Sequence, residues 1–165
     1  MIRPIGTGKY ILIAALMLFT NFSIADTDLH WLWDNRCAEC HGHSANFSRK
    51  FLQVSDGQLR GSHHSLDLKL FMRNHYAPSG EAEAIYDMLL AQVNTAPRFQ
   101  SECGKCHGHA ANFVRDTIVL EDGELVGGSG ASVNQFMQTH RRLNQDDIKF
   151  FMKLLTRVAT EINLK

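Results

Sequence analysis

The sequence has no excess of either charge, because its 165 residues contain 17 Lys and Arg side chains and 17 Asp and Glu side chains. Proteins that bind nucleic acid normally carry a cluster of basic side chains. We therefore expect no nucleic-acid partner. The chain also has only three prolines and four cysteines, so the positions of these few residues are informative.

The sequence also lacks a hydrophobic run long enough to span a membrane. Its most apolar stretch, from Tyr10 to Phe19, is shorter than the roughly 20 residues that a spanning helix needs. Basic residues precede this stretch and small residues follow it, an order that predicts a secretory signal peptide over residues 1–25, cleaved after Ala25. The alternative is an uncleaved membrane anchor. We expect an exported, periplasmic chain whose mature part has no membrane span.

No cysteine lies outside two copies of one short phrase. The four cysteines fall in CAECHGH, which begins at Cys37, and in CGKCHGH, which begins at Cys103. A gap-free alignment of residues 37–61 with residues 103–127 gives 13 identical residues among 25. Such agreement indicates a duplicated unit. Because there are only two copies and the period is long, it predicts two tandem lobes rather than a solenoid.

Both copies predict a similar order of secondary structure. After each cysteine phrase an Asp-Gly pair lies between apolar residues, in SDGQ and EDGE, which predicts a short β-hairpin. Apolar spacing after a cap at Asn144 predicts a long closing helix in the second copy. Pro97 marks the boundary, since proline readily ends a helix. We predict a first lobe at 26–94 and a second at 95–165, packed against each other.

The spacing C-x-x-C-H is the attachment signature of c-type haem. Two thiols three positions apart can each add to one vinyl group of the porphyrin, and the histidine that follows becomes an axial ligand of the iron. We therefore expect two covalently attached haem c groups as cofactors. The first is assigned to Cys37, Cys40 and His41, and the second to Cys103, Cys106 and His107.

Three other uses of these cysteines compete with haem attachment. A zinc site could combine the cysteine pairs with histidines, a redox dithiol could use C-x-x-C, and an exported chain could form disulfides. Haem attachment accounts best for the duplication, the use of every cysteine and the predicted export together. A lobe of about 65 residues also builds only a marginal core by itself, which a large apolar cofactor would supplement.

These features resemble the class I cytochrome c family. Each copy runs from an aromatic residue, Trp33 or Phe99, through C-x-x-C-H-G to a closing helix, which in the second copy reads D-I-x-x-F. The resemblance implies an all-α fold class with two small class I-like cytochrome c lobes in tandem, each with a covalent haem and a short β-hairpin. It implies that Trp33 and Phe99 are packing residues. It also implies an electron carrier rather than an enzyme, a periplasmic dihaem cytochrome c that passes single electrons between redox protein partners.

The sequence offers two residue types, methionine and histidine, as the second axial ligand of each iron. The family's commonest distal ligand is a methionine in a Met-Pro pair, and the sequence contains no such pair. Both copies instead carry Phe-Met-x-x-His, which places a methionine and a histidine on one face of a helix. We favour His75 and His140, because Met72 and Met137 are readily explained as core packing. Histidine would give a lower potential, since methionine raises it.

A further set of polar residues recurs in both copies. It comprises His43, His109, Arg49 and Arg115. The two histidines follow the proximal ligands too closely to bind the same iron. All four side chains could donate hydrogen bonds to haem propionates. A solvated helix face is the alternative. His63 and His64 have no histidine counterparts in the second copy and are alternatives to His75.

The sequence is also compatible with two other functions. The first is a peroxidase-like haem enzyme or a ligand sensor, in which one iron keeps an open position. It would require one copy without a distal ligand, and both copies carry the same candidates. The second is a haem subunit that docks on a larger oxidoreductase, which differs from a free carrier only in how permanent its partner is.

Overall fold

The computed structural model describes residues 27–62, 67–77 and 79–162. The predicted signal peptide, as well as His63 and His64, lies outside the described residues. Within them the chain is mostly helical, with two short antiparallel hairpins. No helix in these ranges is both long enough and apolar enough to cross a membrane.

The two copies build similar elements in the same order. Those of the first copy are α1 (Leu29–Arg36), α2 (Ala38–His41), α3 (Ser44–Phe51), β1 (Leu52–Ser55), β2 (Gln58–Gly61), α4 (Leu68–His75) and α5 (Ser79–Val93). Those of the second copy are a π-helical turn (Phe99–Cys103), α6 (Gly104–His107), α7 (Ala110–Thr117), β3 (Ile118–Glu121), β4 (Glu124–Gly127), α8 (Val133–Met137) and α9 (Gln145–Glu161). The copies differ before the cysteine phrase, where α1 is replaced by the π-helical turn, and at α8, which is shorter than α4.

Each hairpin forms at its Asp-Gly pair. Asp56 and Gly57 have φ angles of 53° and 72°, and Asp122 and Gly123 have φ angles of 47° and 83°. A two-residue type I′ turn requires a positive φ at both central positions, which aspartate and glycine tolerate. The strands on either side then pair in antiparallel register. The prediction of two hairpins is confirmed.

The all-α fold class is wrong, because these hairpins form two separate two-stranded antiparallel sheets. The described residues also do not show the expected tandem of class I-like cytochrome c lobes. The start of the first copy is instead bonded to the second copy. Asp28 accepts hydrogen bonds of 2.8 and 2.6 Å from Arg115, and His30 lies 2.9 Å from Glu161. The division of the chain at residue 95 stays a prediction.

Apolar side chains form two buried clusters, one from each copy. The first comprises Leu32, Trp33, Leu52, Leu59, Ile85, Tyr86, Met88 and Leu89. The second includes Phe99, Val114, Ile118, Leu125, Phe151, Leu154, Leu155 and Val158. Helix α9 starts after Asn144, whose side chain accepts from the Asp147 amide in a capping box. Its buried stripe confirms the predicted closing helix.

Candidate functional site

Each cysteine phrase contains a short helix. Cys37 precedes α2, which ends at His41, and Cys103 precedes α6, which ends at His107. In both copies the glycine after the histidine has a φ of 67°, so the chain turns sharply there. The two phrases therefore have the same local structure, with the first cysteine and the histidine at opposite ends of one helical turn.

All four cysteines lie in the described ranges, and all four are free thiols. Cys37 and Cys103 are half-buried, whereas Cys40 and Cys106 are exposed. Burial raises the pKa of the Cys37 thiol and that of the Cys103 thiol, because a buried thiolate loses its hydration. In the described ranges the cysteines form no disulfide, and their attachment to haem stays a prediction.

Each proximal histidine faces the histidine expected as its distal partner. The ring centroids of His41 and His75 lie 6.1 Å apart, with an angle of 61° between the ring planes. His107 and His140 give the same 6.1 Å and 61°. A metal ion held about 2 Å from one nitrogen of each ring separates the centroids by roughly 6 Å, once about 1 Å of ring radius is added on each side. The spacing in both copies therefore suits one iron between two imidazoles.

The two copies reach this geometry from helices of different length. His75 is the last residue of α4, whereas His140 lies beyond the end of α8. The His140 amide donates a hydrogen bond of 3.1 Å to the carbonyl of Phe136. This bond joins residues four apart, as in an α-helix, so in both copies the histidine follows a phenylalanine by one helical turn.

An apolar cavity of about 430 Å³ adjoins the second pair of histidines. Cys103, His107 and His140 all line it. Its apolar walls include Phe99, Phe113, Ile118, Val133, Phe151 and Leu155. The volume is within the range of cofactor pockets. A thiol and two facing imidazoles against apolar walls fit a large apolar cofactor that carries an iron.

The proximal rings are held by aromatic neighbours and are suited to metal binding. Phe47 lies edge-on to His41, with centroids 4.6 Å apart, and Phe113 lies 4.5 Å from His107. Burial, with a smaller effect of His75, lowers the pKa of His41. The lowered pKa favours the neutral imidazole, which is the form that binds metals. The phenylalanine is shared by the two aligned phrases, a signal that could have marked it as part of the site.

The methionines considered as alternative ligands pack into the hydrophobic clusters. Met137 is 9% exposed and belongs to the second cluster, and Met72 is half-buried against the first. Met137 also lines the 430 Å³ cavity. His75 contacts the ring of His41, and His140 contacts the ring of His107.

The other recurring polar residues lie at the junction of the two copies. His43 and His109 stack on each other, with ring centroids 4.1 Å apart and 23° between planes. Arg115 binds Asp28, and Arg49 donates to the carbonyl of Gln92 at 3.5 Å. A second cavity, of about 220 Å³, is lined by both histidines and Arg49. Propionate contacts from these four residues stay a prediction.

The contact between His43 and His109 is not evident from the sequence. The alignment shows that the two residues are equivalent, but nothing in it shows that they touch. Burial, followed by the effect of His109, lowers the pKa of His43 to about 4. His43 is therefore neutral at pH 7. The contact of 2.9 Å between His30 Nε2 and a carboxylate oxygen of Glu161 is likewise a contact between copies that no local pattern predicts.

No protein family, curated protein or solved structure matches the chain. Within the described ranges, no three His, Cys, Asp or Glu side chains gather so as to hold a metal ion, so the four-ligand set of a structural zinc site is not assembled there. Two facing imidazoles instead suit an iron whose remaining ligands come from a macrocycle.

Proposed function

We propose that the chain is a c-type cytochrome that binds two haem c groups covalently and carries single electrons between redox proteins outside the cytoplasm. One observation carries the proposal, the pair of facing imidazoles at 6.1 Å and 61° in each copy, next to a C-x-x-C-H phrase. When bound, haem c supplies an iron that alternates between ferric and ferrous states and so carries one electron.

The residues that would hold each haem have distinct roles. Cys37 and Cys40 in the first copy, and Cys103 and Cys106 in the second, would form thioether bonds to its vinyl groups. His41 and His107 would bind the iron as proximal ligands. The neutral imidazole that burial favours at His41 keeps a nitrogen lone pair available for the metal.

His75 would bind the first iron and His140 the second, each on the side opposite its proximal histidine. Their positions support a closed carrier over an enzyme or a ligand sensor, because an enzyme would need an iron with an open position for its substrate. Both copies carry a facing imidazole, so neither is distinguished as such a site. Two histidine ligands also favour a lower potential than a histidine and methionine pair.

Electron exchange with proteins requires that the cofactor lie near the surface. His75 is exposed, and His140 is half-buried, so the distal side of each site is close to solvent. This placement supports redox protein partners over a small-molecule substrate. Export by the predicted signal peptide would place the exchange in the periplasm, where c-type attachment signatures and exported chains are found together.

Haem content tests the proposal. Protein purified from the exported fraction of a bacterial host is expected to contain two covalent haems per chain, measured from its alkaline pyridine spectrum. The variant Cys37→Ser/Cys40→Ser is expected to retain one haem, and so is Cys103→Ser/Cys106→Ser. A parent protein that carries no covalent haem would overturn the proposal, and one haem lost from only one of the two variants would limit it to a single site.

Spin state tests the ligands. The oxidised parent is expected to be low-spin at both irons. Each of His75→Ala and His140→Ala is expected to make one iron high-spin, whereas Met72→Leu and Met137→Leu leave both low-spin. High-spin iron in the methionine variants alone would move the distal assignment to methionine. A high-spin iron in the parent itself would favour the enzyme or sensor over the carrier.

A further inference from the structure

A phenylalanine stacks on the histidine that faces the proximal ring in each copy. The rings of Phe71 and His75 lie 4.9 Å apart, with 21° between planes. Those of Phe136 and His140 lie 4.8 Å apart, with 27° between planes. Both pairs are four residues apart, a spacing at which side chains meet on a helix. The same near-parallel contact thus recurs in both copies.

Core packing does not explain these phenylalanines. Phe71 is 47% exposed, and Phe136, which also lines the 430 Å³ cavity, is 57% exposed, so neither ring is enclosed in its hydrophobic cluster. The neighbouring methionines, Met72 and Met137, supply the contacts with the hydrophobic clusters. A single exposed apolar residue is ordinary, but here the exposed ring recurs in both copies with the same partner. The contact with the histidine is the feature that the two copies have in common.

Stacking limits how the imidazole can turn. The second side-chain torsion of histidine is broad, so an imidazole whose faces are free can rotate about the bond that joins it to the side chain. A phenyl ring parallel to one face blocks that rotation on its side. In the first copy Tyr76 also lies edge-on to His75, at 5.8 Å and 79°. These contacts hold the ring at 61° to its proximal partner.

We propose that Phe71 and Phe136 are positioning residues that fix the plane of the distal imidazole. The inference rests on the proposed function, since it assumes that His75 and His140 are the axial ligands. Residues that orient a metal ligand without binding the metal are a general feature of metal sites. In both copies the ligand would be oriented by an aromatic face, and the angle between the two axial imidazole planes would be set by the chain.

Electron paramagnetic resonance of the oxidised protein measures this angle. In a low-spin ferric site with two imidazole ligands, the g values depend on the angle between the ligand planes, because that angle sets the splitting of the iron d orbitals. Phe71→Leu and Phe136→Leu are each expected to shift the g values of one iron and leave those of the other unchanged. Phe71→Met and Phe136→Met, which also lack a ring, should shift the same signals.

Two controls separate orientation from a general structural effect. Phe71→Tyr and Phe136→Tyr keep the ring and are expected to retain the parent g values. Leu70→Ala removes a 54%-exposed apolar side chain from the same helix as Phe71 and should leave the spectrum unchanged. Low-spin signals that are identical in the parent and in the leucine and methionine variants would overturn the positioning role alone. A parent without haem, or with methionine ligands, would overturn the proposed function or its ligand assignment, and the positioning role with it.

Discussion

The imidazole of His43 stacks on that of His109, with ring centroids 4.1 Å apart, and these residues occupy equivalent positions in the two copies. A contact between equivalent residues is what an approximate two-fold relation produces at its axis. Each residue lies two positions after a proximal histidine. The stack therefore joins the two cysteine phrases directly.

A double-mutant cycle on this pair is expected to give a coupling free energy of about 0.5–1.5 kcal/mol, the range for stacked aromatic rings. His43→Ala, His109→Ala and the double variant would be compared by urea unfolding of the haem-loaded protein at pH 7. As a control, His43→Ala combined with Glu124→Ala, in the exposed part of the second hairpin, should give no coupling. A coupling near zero for the histidine pair would show that the stack does not stabilise the junction.

Local signals predicted part of this fold, and contacts between distant residues supplied the rest. The hairpins follow from Asp-Gly pairs, and the start of α9 follows from Asn144, because turn and cap geometry depend on a few neighbouring residues. The approach of His75 to His41 was predicted from the repeated Phe-Met-x-x-His pattern together with the resemblance to the class I cytochrome c family. The stack of His43 on His109 depends on how the copies pack, which no short segment determines. The all-α class is wrong because the residues on either side of each Asp-Gly pair form a two-stranded antiparallel sheet.

Replacement of the glycine after the proximal histidine is expected to destabilise the protein. Gly42 has φ 67° and ψ −161°, a region that essentially only glycine occupies and that costs other residues about 1–3 kcal/mol. An added Cβ would meet nothing within 4 Å, so the cost of Gly42→Ala is in the backbone. We expect a loss of about 1–3 kcal/mol in the free energy of unfolding, measured by urea denaturation.

Gly80 offers the matched control for this substitution. It lies in α5, and an added Cβ there would also meet nothing within 4 Å, but its φ is not positive. Gly80→Ala is therefore expected to stabilise the protein by about 0.5–1 kcal/mol, because alanine favours the helix and restricts the unfolded chain. Equal effects of the two alanines would contradict the backbone explanation.

The second copy suggests a replacement for one buried polar pair in the first. The Gln92 side chain donates a hydrogen bond of 3.0 Å to the Ser44 hydroxyl, and both residues are buried. In the second copy Ala110 aligns with Ser44, and the buried stripe of α9 includes the apolar Val158. Ser44→Ala leaves the Gln92 amide without this partner and should cost about 1–3 kcal/mol.

The double variant Ser44→Ala/Gln92→Val should recover most of that loss, because it copies the apolar pair and leaves no buried polar group unpaired. Thermal and urea unfolding of the parent, Ser44→Ala and the double variant would measure the recovery. The side-chain oxygen of Gln92 has no hydrogen-bond partner in the described part of the chain, which also favours the apolar replacement. A double variant less stable than Ser44→Ala would contradict this expectation.

Arg98 makes part of the stability of the second copy dependent on pH. Its guanidinium lies 2.6 Å from a carboxylate oxygen of Glu102 and 2.6 Å from one of Asp147. Hydrogen bonds from Arg98 lower the pKa of both carboxyl groups. A carboxyl with a lowered pKa contributes stability above its ordinary value, near pH 4, and this contribution is lost as the pH falls through the lowered pKa.

Arg98→Met should therefore destabilise the protein at pH 7 and have a smaller effect at about pH 3, because the contribution declines from the ordinary carboxyl pKa downwards and disappears below the lowered pKa. Methionine keeps an apolar stem against Phe151, over whose ring the guanidinium lies at 5.0 Å, so the variant mainly removes charge and hydrogen bonds. Urea unfolding at both pH values, with Arg142→Met as an exposed control, would measure the difference from the parent. Because the ion pairs are partly exposed, the difference at pH 7 should also shrink in about 1 M NaCl, where charges are screened within a few ångströms. A difference that is the same at both pH values would mean that Arg98 acts through packing rather than through its carboxylate partners.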